Sequence, residues 1–200
     1  MTSKKKPDYT NGEIKIDVSV TSFMLAVATF FTGFLISSYS SFNNSVRIPT
    51  FFLVISTLSF LFTNLIFANA SGEIRSGNRD GANKHANAGN AISEFLGIYL
   101  LVISMPLVIS AITGDILLRV AVFVVVMVSL FSYSMSPFSI IKRYITTAYL
   151  RLLYSVVLIG LGTACFITQE GDNLIYVYSS VALIAYLVLT TIFLLNPKNQ

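Results

Sequence analysis

Tryptophan is absent from this 200-residue chain, cysteine and histidine occur once each, and only 11% of the residues are charged. A lone cysteine, Cys165, supports neither an internal disulfide nor a thiolate metal cluster, and its apolar surroundings mark it as a small buried residue. A single histidine, His85, cannot give a haem two axial ligands or complete a zinc site. Because it lies outside every apolar run, an intramembrane serine–histidine pair is excluded as well. Phosphate-binding glycine loops of the GxxxxGKS/T or GxGxxG kind are missing. Neither an enzyme, a cofactor nor a metal site is expected.

The scarcity of charge is the most informative absence. Soluble domains are about a quarter charged. A chain that is 54% apolar, with a mean hydropathy of +0.76, does not fit a water-soluble globule. A helix needs about 20 residues to cross a hydrocarbon core of ~30 Å, so this length holds six or seven crossings and no separate soluble domain. The net charge of +4 does not point to nucleic acid, because the basic residues lie between apolar runs and form no stripe.

Six apolar runs are present, at about 18–39, 48–69, 91–113, 116–135, 147–167 and 174–195. None alternates with period two as a barrel strand would, and in lipid the backbone must satisfy its own hydrogen bonds. The expected fold is therefore all-α: a polytopic six-helix bundle in the cell membrane, with the lipid bilayer as its surroundings. Residues 1–17 read as a polar tail, too long and too polar for a cleavable signal, and 196–200 as a second tail.

Orientation follows from the connections. Lys4, Lys5, Lys6, Lys15, Arg75, Arg79, Lys84, Lys142, Arg143 and Lys198 fall on one side, whereas the alternate loops hold Arg47 and Arg119 beside Asp115, Glu170 and Asp172. The positive-inside rule then puts both termini in the cytoplasm. Tyr39, Tyr133, Tyr144 and Tyr176 fall near span ends, as interfacial aromatics do, while Tyr99 and Tyr186 lie deeper and need hydrogen-bond partners. Residues 70–90 are expected to form a helical hairpin protruding into the cytoplasm, a Gly-rich turn followed by an alanine-rich downward extension of the third helix.

Small residues recur every fourth position at Thr29, Gly33, Ser37 and Ser41, and again at Gly89, Ser93 and Gly97. That spacing lets two helices approach closely, either within one subunit or between subunits of a homo-oligomer. SYSSFNNSVR (38–47) is echoed by SYSMSPFSIIKR (132–143) three helices later, the offset of an inverted three-plus-three repeat, although serine is common enough here for chance to compete.

Charges inside the apolar slab are few. For Glu94, one reading is architectural, an acid near the positive end of a helix capped by Asn90. The other has it attract a cation or carry a proton. Arg151 either snorkels to the headgroups or faces Glu94. Asp115 and Arg119 have the four-residue spacing and acid-first order of a helical ion pair. Pro106 removes a hydrogen bond from the third helix and, with Gly97, gives it a place to bend. Ser56, Thr57, Ser59, Thr63 and Asn64 make the second span polar, so these groups need partners or water.

Taken together, Glu94, Ser56, Thr57, Ser59, Thr63, Asn64, Tyr99, Pro106 and Arg151 are the pathway candidates of a small channel or channel-like permease, for an inorganic cation, acting as a homo-oligomer. The competing reading is a non-conducting accessory or regulatory subunit that docks a partner through residues 70–90.

Overall fold

A computed structural model describes residues 9–39, 44–145, 147–170 and 173–196. Lys4, Lys5, Lys6, Ser41, Asp172 and Lys198 lie outside the described residues, as do residues 40–43 within the SYSSFNNSVR half of the echo. Every regular element among the described residues is helical. Six of these helices are long and apolar enough to cross a membrane. They are α1 (Asn11–Ser37), α2 (Arg47–Arg75), α3 (Arg79–Ile112), α4 (Ile116–Met135), α5 (Ala148–Thr168) and α6 (Asn173–Leu195). A one-turn helix, Ile141–Tyr144, lies between α4 and α5.

The first helix starts well before its apolar run. The Thr10 hydroxyl accepts from the Glu13 N–H at 3.3 Å, and the Glu13 carboxylate accepts from the Thr10 N–H at 2.8 Å. This capping box satisfies two otherwise free donors, so α1 begins at Asn11. Its packing face is a strict seven-residue series, Ile14, Thr21, Ala28 and Leu35, laid against α2. Thr29, Gly33 and Ser37 occupy the other side: all three are exposed, and a side chain at Gly33 would meet nothing within 4 Å.

α3 is the central element. In its most apolar window 61% of residues are buried, against 39% or less in each of the other five spans. Asn78, not Asn90, caps it, accepting from the Gly81 N–H at 3.1 Å. Glu94 therefore lies far from the helix start, and the dipole cannot account for it. Residues Ser93–Ile98 form a π-helical turn, in which the Tyr99 N–H bonds the carbonyl of Glu94. Pro106 is buried within the same continuous helix.

The π turn has a packing consequence. A Cβ at Gly97 would sit 2.6 Å from the ring of Phe60, and one at Gly89 would sit 2.7 Å from the ring of Phe67. Beside these contacts, the Ser56 hydroxyl donates to the Gly97 carbonyl at 2.9 Å and the Thr63 hydroxyl to the Gly89 carbonyl at 3.4 Å. The partners on α2 are seven residues apart and those on α3 eight. A π turn adds one residue to a helix, so α3 keeps its glycines in step with the antiparallel ladder of α2.

One end of the bundle gathers the start of α1, the α2–α3 turn and the α4–α5 loop. There the Tyr9 N–H donates to Asn83 at 3.0 Å, and Arg143 donates to the Tyr9 hydroxyl. Arg75, Arg79, Lys84 and Lys142 flank the same region in the chain, so it is the basic end. At the opposite end, Gln169, just past the end of α5, donates to the carbonyls of Ser45 and Leu107 at 3.2 and 2.8 Å. Arg119 there pairs with Glu170 at 2.5 Å. The expected Asp115–Arg119 pair is not formed, because the Asp115 carboxylate caps α4, accepting from the N–H groups of Leu117 and Leu118 at 2.9 and 3.2 Å.

Candidate functional site

Glu94 is 4% exposed and fully occupied. One carboxylate oxygen accepts from the hydroxyls of Tyr99 at 2.8 Å and Ser139 at 2.5 Å. The other accepts from the Tyr133 hydroxyl at 3.2 Å and the Ile140 N–H at 2.8 Å. A carboxylate has about four lone-pair sites, and four donors fill them. The π turn assists: in an α-helix, side chains five apart diverge by roughly 140°, whereas the wider turn brings Tyr99 back over Glu94. Edge-to-face contacts of Tyr99 with Phe95 and Tyr133, at 5.6 and 6.1 Å between ring centroids, hold the tyrosines in place.

Glu94 thus binds the α4–α5 loop to α3 through Ser139 and Ile140. That loop carries Phe138 and Arg143 to the rim of a cavity of about 190 Å³ at the basic end. Its polar lining includes Asp17 and Thr21 from α1, Asn90, Ser93 and Glu94 from α3, Tyr133 from α4, and Arg143.

Asp17 differs from Glu94 in its company. It is half-buried, and its side chain accepts one long hydrogen bond, from the Asn90 amide at 3.5 Å. The same amide donates to the Tyr9 hydroxyl at 3.1 Å, and that hydroxyl donates to Asn87 at 3.2 Å. Arg143 completes the arrangement, with its guanidinium carbon 5.5 Å from the Tyr9 ring centroid. Tyr9 is thereby saturated, whereas Arg143 uses one of its five donors on Tyr9.

The other pathway candidates are elsewhere. Ser56 and Thr63 bind α3 carbonyls, and the Thr57 hydroxyl lies 3.2 Å from that of Thr32 on α1. Ser59 donates to the Ile55 carbonyl of its own helix at 2.8 Å, and Asn64 accepts from Thr21 at 2.5 Å. None of these five lines the cavity. Gly97 sits wedged under Phe60, not free as a hinge. Arg151 is not among the groups around Glu94, and its Nε is buried without a partner. Tyr99 and Tyr186 both have the partners their depth requires: the Tyr186 hydroxyl donates to the Tyr154 carbonyl at 3.2 Å.

Of the small-residue series, Gly89 and Gly97 form close helix contacts, Ser93 lines the cavity, and Thr29, Gly33 and Ser37 face away from the chain. Tyr9, Asp17 and Ser139 are not singled out from sequence, while Tyr133 is read there only as an interfacial aromatic, Arg143 only as a charge that sets orientation, and Asn90 only as a cap. For Asp17 a signal existed. The Thr10–Glu13 box starts the helix early enough to bring Asp17 onto it, one turn before Thr21.

The arrangement brings two carboxylates, a guanidinium and several hydrogen-bonding groups around one partly open space. No protein-family model, curated protein or solved structure matches this chain.

Proposed function

We propose that the protein is a small channel or channel-like permease of the cell membrane that admits a solute bearing a positively charged group, a cation in the simplest case, through the cavity at its basic end. The observation carrying this reading is the cavity of about 190 Å³ with two carboxylates on its wall, of which Glu94 shapes the wall and Asp17 remains free to meet the solute. In this reading the positive-inside pattern faces the cytoplasm with both termini, so the cavity opens inward. Assembly as a homo-oligomer is supported by the outward stripe Thr29, Gly33 and Ser37. An inverted relation between α1–α3 and α4–α6 rests on the serine-rich echo alone.

The test is flux. Purified full-length protein in liposomes is expected to pass at least one of Na⁺, K⁺, H⁺, methylammonium and glycine above empty vesicles, and Asp17→Asn to reduce that flux. Flux indistinguishable from empty vesicles for all five would overturn the proposal.

One observation favours the accessory-subunit reading: the second-span hydroxyls close onto α1, α3 or their own helix, so that face is sealed. An inert protein that co-purifies with a partner, and loses it on charge reversal of Arg75 and Lys84, would decide for this alternative.

A further inference from the structure

Resting on the transport reading above, we propose that the solute recognised in this cavity is a small zwitterion, its ammonium held by Asp17 and its anionic group by Arg143, and not a bare inorganic ion.

The two charges are opposite, face one space and are not joined to each other. A salt bridge between them would leave nothing for a ligand, but the Asp17 side chain has only the 3.5 Å contact from Asn90. Arg143 is held by Tyr9, both by a hydrogen bond and by the ring beneath its guanidinium. Tyr9 in turn is fixed by Asn83, Asn87 and Asn90. The guanidinium is therefore positioned before any ligand arrives, with most of its fork still available to a carboxylate or phosphate.

An inorganic cation fits less well. Glu94 has no lone pair left to replace a hydration shell, and no group of three or more His, Cys, Asp or Glu side chains that could hold a metal occurs among the described residues. Arg143 on the same wall repels a lone cation, yet completes a zwitterion. The space, about 190 Å³, is large enough to admit a small organic zwitterion.

An ammonium and an anion on one small molecule also describe a phosphoethanolamine headgroup, so the probes must separate a free solute from a lipid. Detergent-purified full-length protein is titrated, by isothermal calorimetry, with glycine, β-alanine, γ-aminobutyrate and phosphoethanolamine. Methylammonium and acetate serve as the two halves. At least one intact zwitterion should bind about tenfold tighter than either half, and Asp17→Asn and Arg143→Gln should each lose about that factor. Binding of the amino acids assigns the site to a free solute. Binding of phosphoethanolamine alone assigns it to a headgroup. If methylammonium binds as well as every zwitterion and Arg143→Gln changes nothing, the inference is overturned while the cationic-transport reading survives. If nothing binds yet Na⁺ or K⁺ flux persists in liposomes, the zwitterion is again overturned. Arg143→Lys, which keeps the charge and loses the fork, should retain ammonium binding and weaken the anion end.

Discussion

The seam between α2 and α3 and the cavity at the basic end are both polar, yet they spend their polar groups in opposite ways. Along the seam, Ser56 and Thr63 donate to carbonyls of the facing helix, and Phe60 and Phe67 close over Gly97 and Gly89. Nothing is left over. In the cavity, Glu94 is saturated, but Asp17 and Arg143 each keep bonding capacity that no neighbour uses. Polarity in an apolar span is thus no guide to a pathway by itself. What distinguishes a site is unused hydrogen-bonding capacity beside open space.

Glu94→Ala should break the contrast most severely, because it removes the one acceptor shared by α3, α4 and the α4–α5 loop. The hydroxyls of Tyr99, Tyr133 and Ser139 can re-aim, but the Ile140 N–H cannot, and a loss of about 3–5 kcal/mol is expected. Thermal unfolding in micelles would check this; an unchanged midpoint would remove Glu94 from its role in holding the loop. Next comes Gly97→Ala, which forces a methyl into the Phe60 ring and should cost about 1–3 kcal/mol. Phe60→Leu in the same chain should recover part of that loss, and a purely additive double variant would show that the two residues are not in contact.

Ser56→Ala tests the seam more gently. Interhelical hydrogen bonds in membranes average about 0.6 kcal/mol, so the midpoint should fall only slightly and solute uptake should not change. The smallest effect on stability, within about 0.5 kcal/mol, belongs to Asp17→Asn. Liposome uptake in that variant should nevertheless drop about tenfold, the loss of one charge-assisted contact. If the seam variant lost uptake and the cavity variant kept it, the distinction between the two regions would be reversed.

Several features could be read locally. Span number follows from run length and hydropathy, both properties of contiguous residues. The Thr10–Glu13 box lies in the sequence as written, and it moves the start of α1 to Asn11. Other expectations failed where one group had two suitors. Asp115 has the spacing to pair with Arg119, but its own helix offers two free N–H groups nearer by, and Arg119 turns to Glu170. Asn90 resembles a cap only while the helix is taken to begin there; starting at Arg79, the helix carries Asn90 inward toward Tyr9 and Asp17.

By itself the sequence determined that this chain is all-helical, with six helices able to cross a membrane, because a backbone in lipid must satisfy its hydrogen bonds within each span and each run has the necessary length. It also marked Glu94 as one of the few charges within an apolar run, to be read either as architectural or as a functional acid. Only the tertiary structure decided what surrounds it: Ser139 and Ile140 lie more than forty residues away, and a π-helical turn rotates Tyr99 into reach. Such contacts depend on how helices and loops meet in space. Composition and spacing carry no record of that, so the same packing that filled Glu94 left Asp17 and Arg143 open.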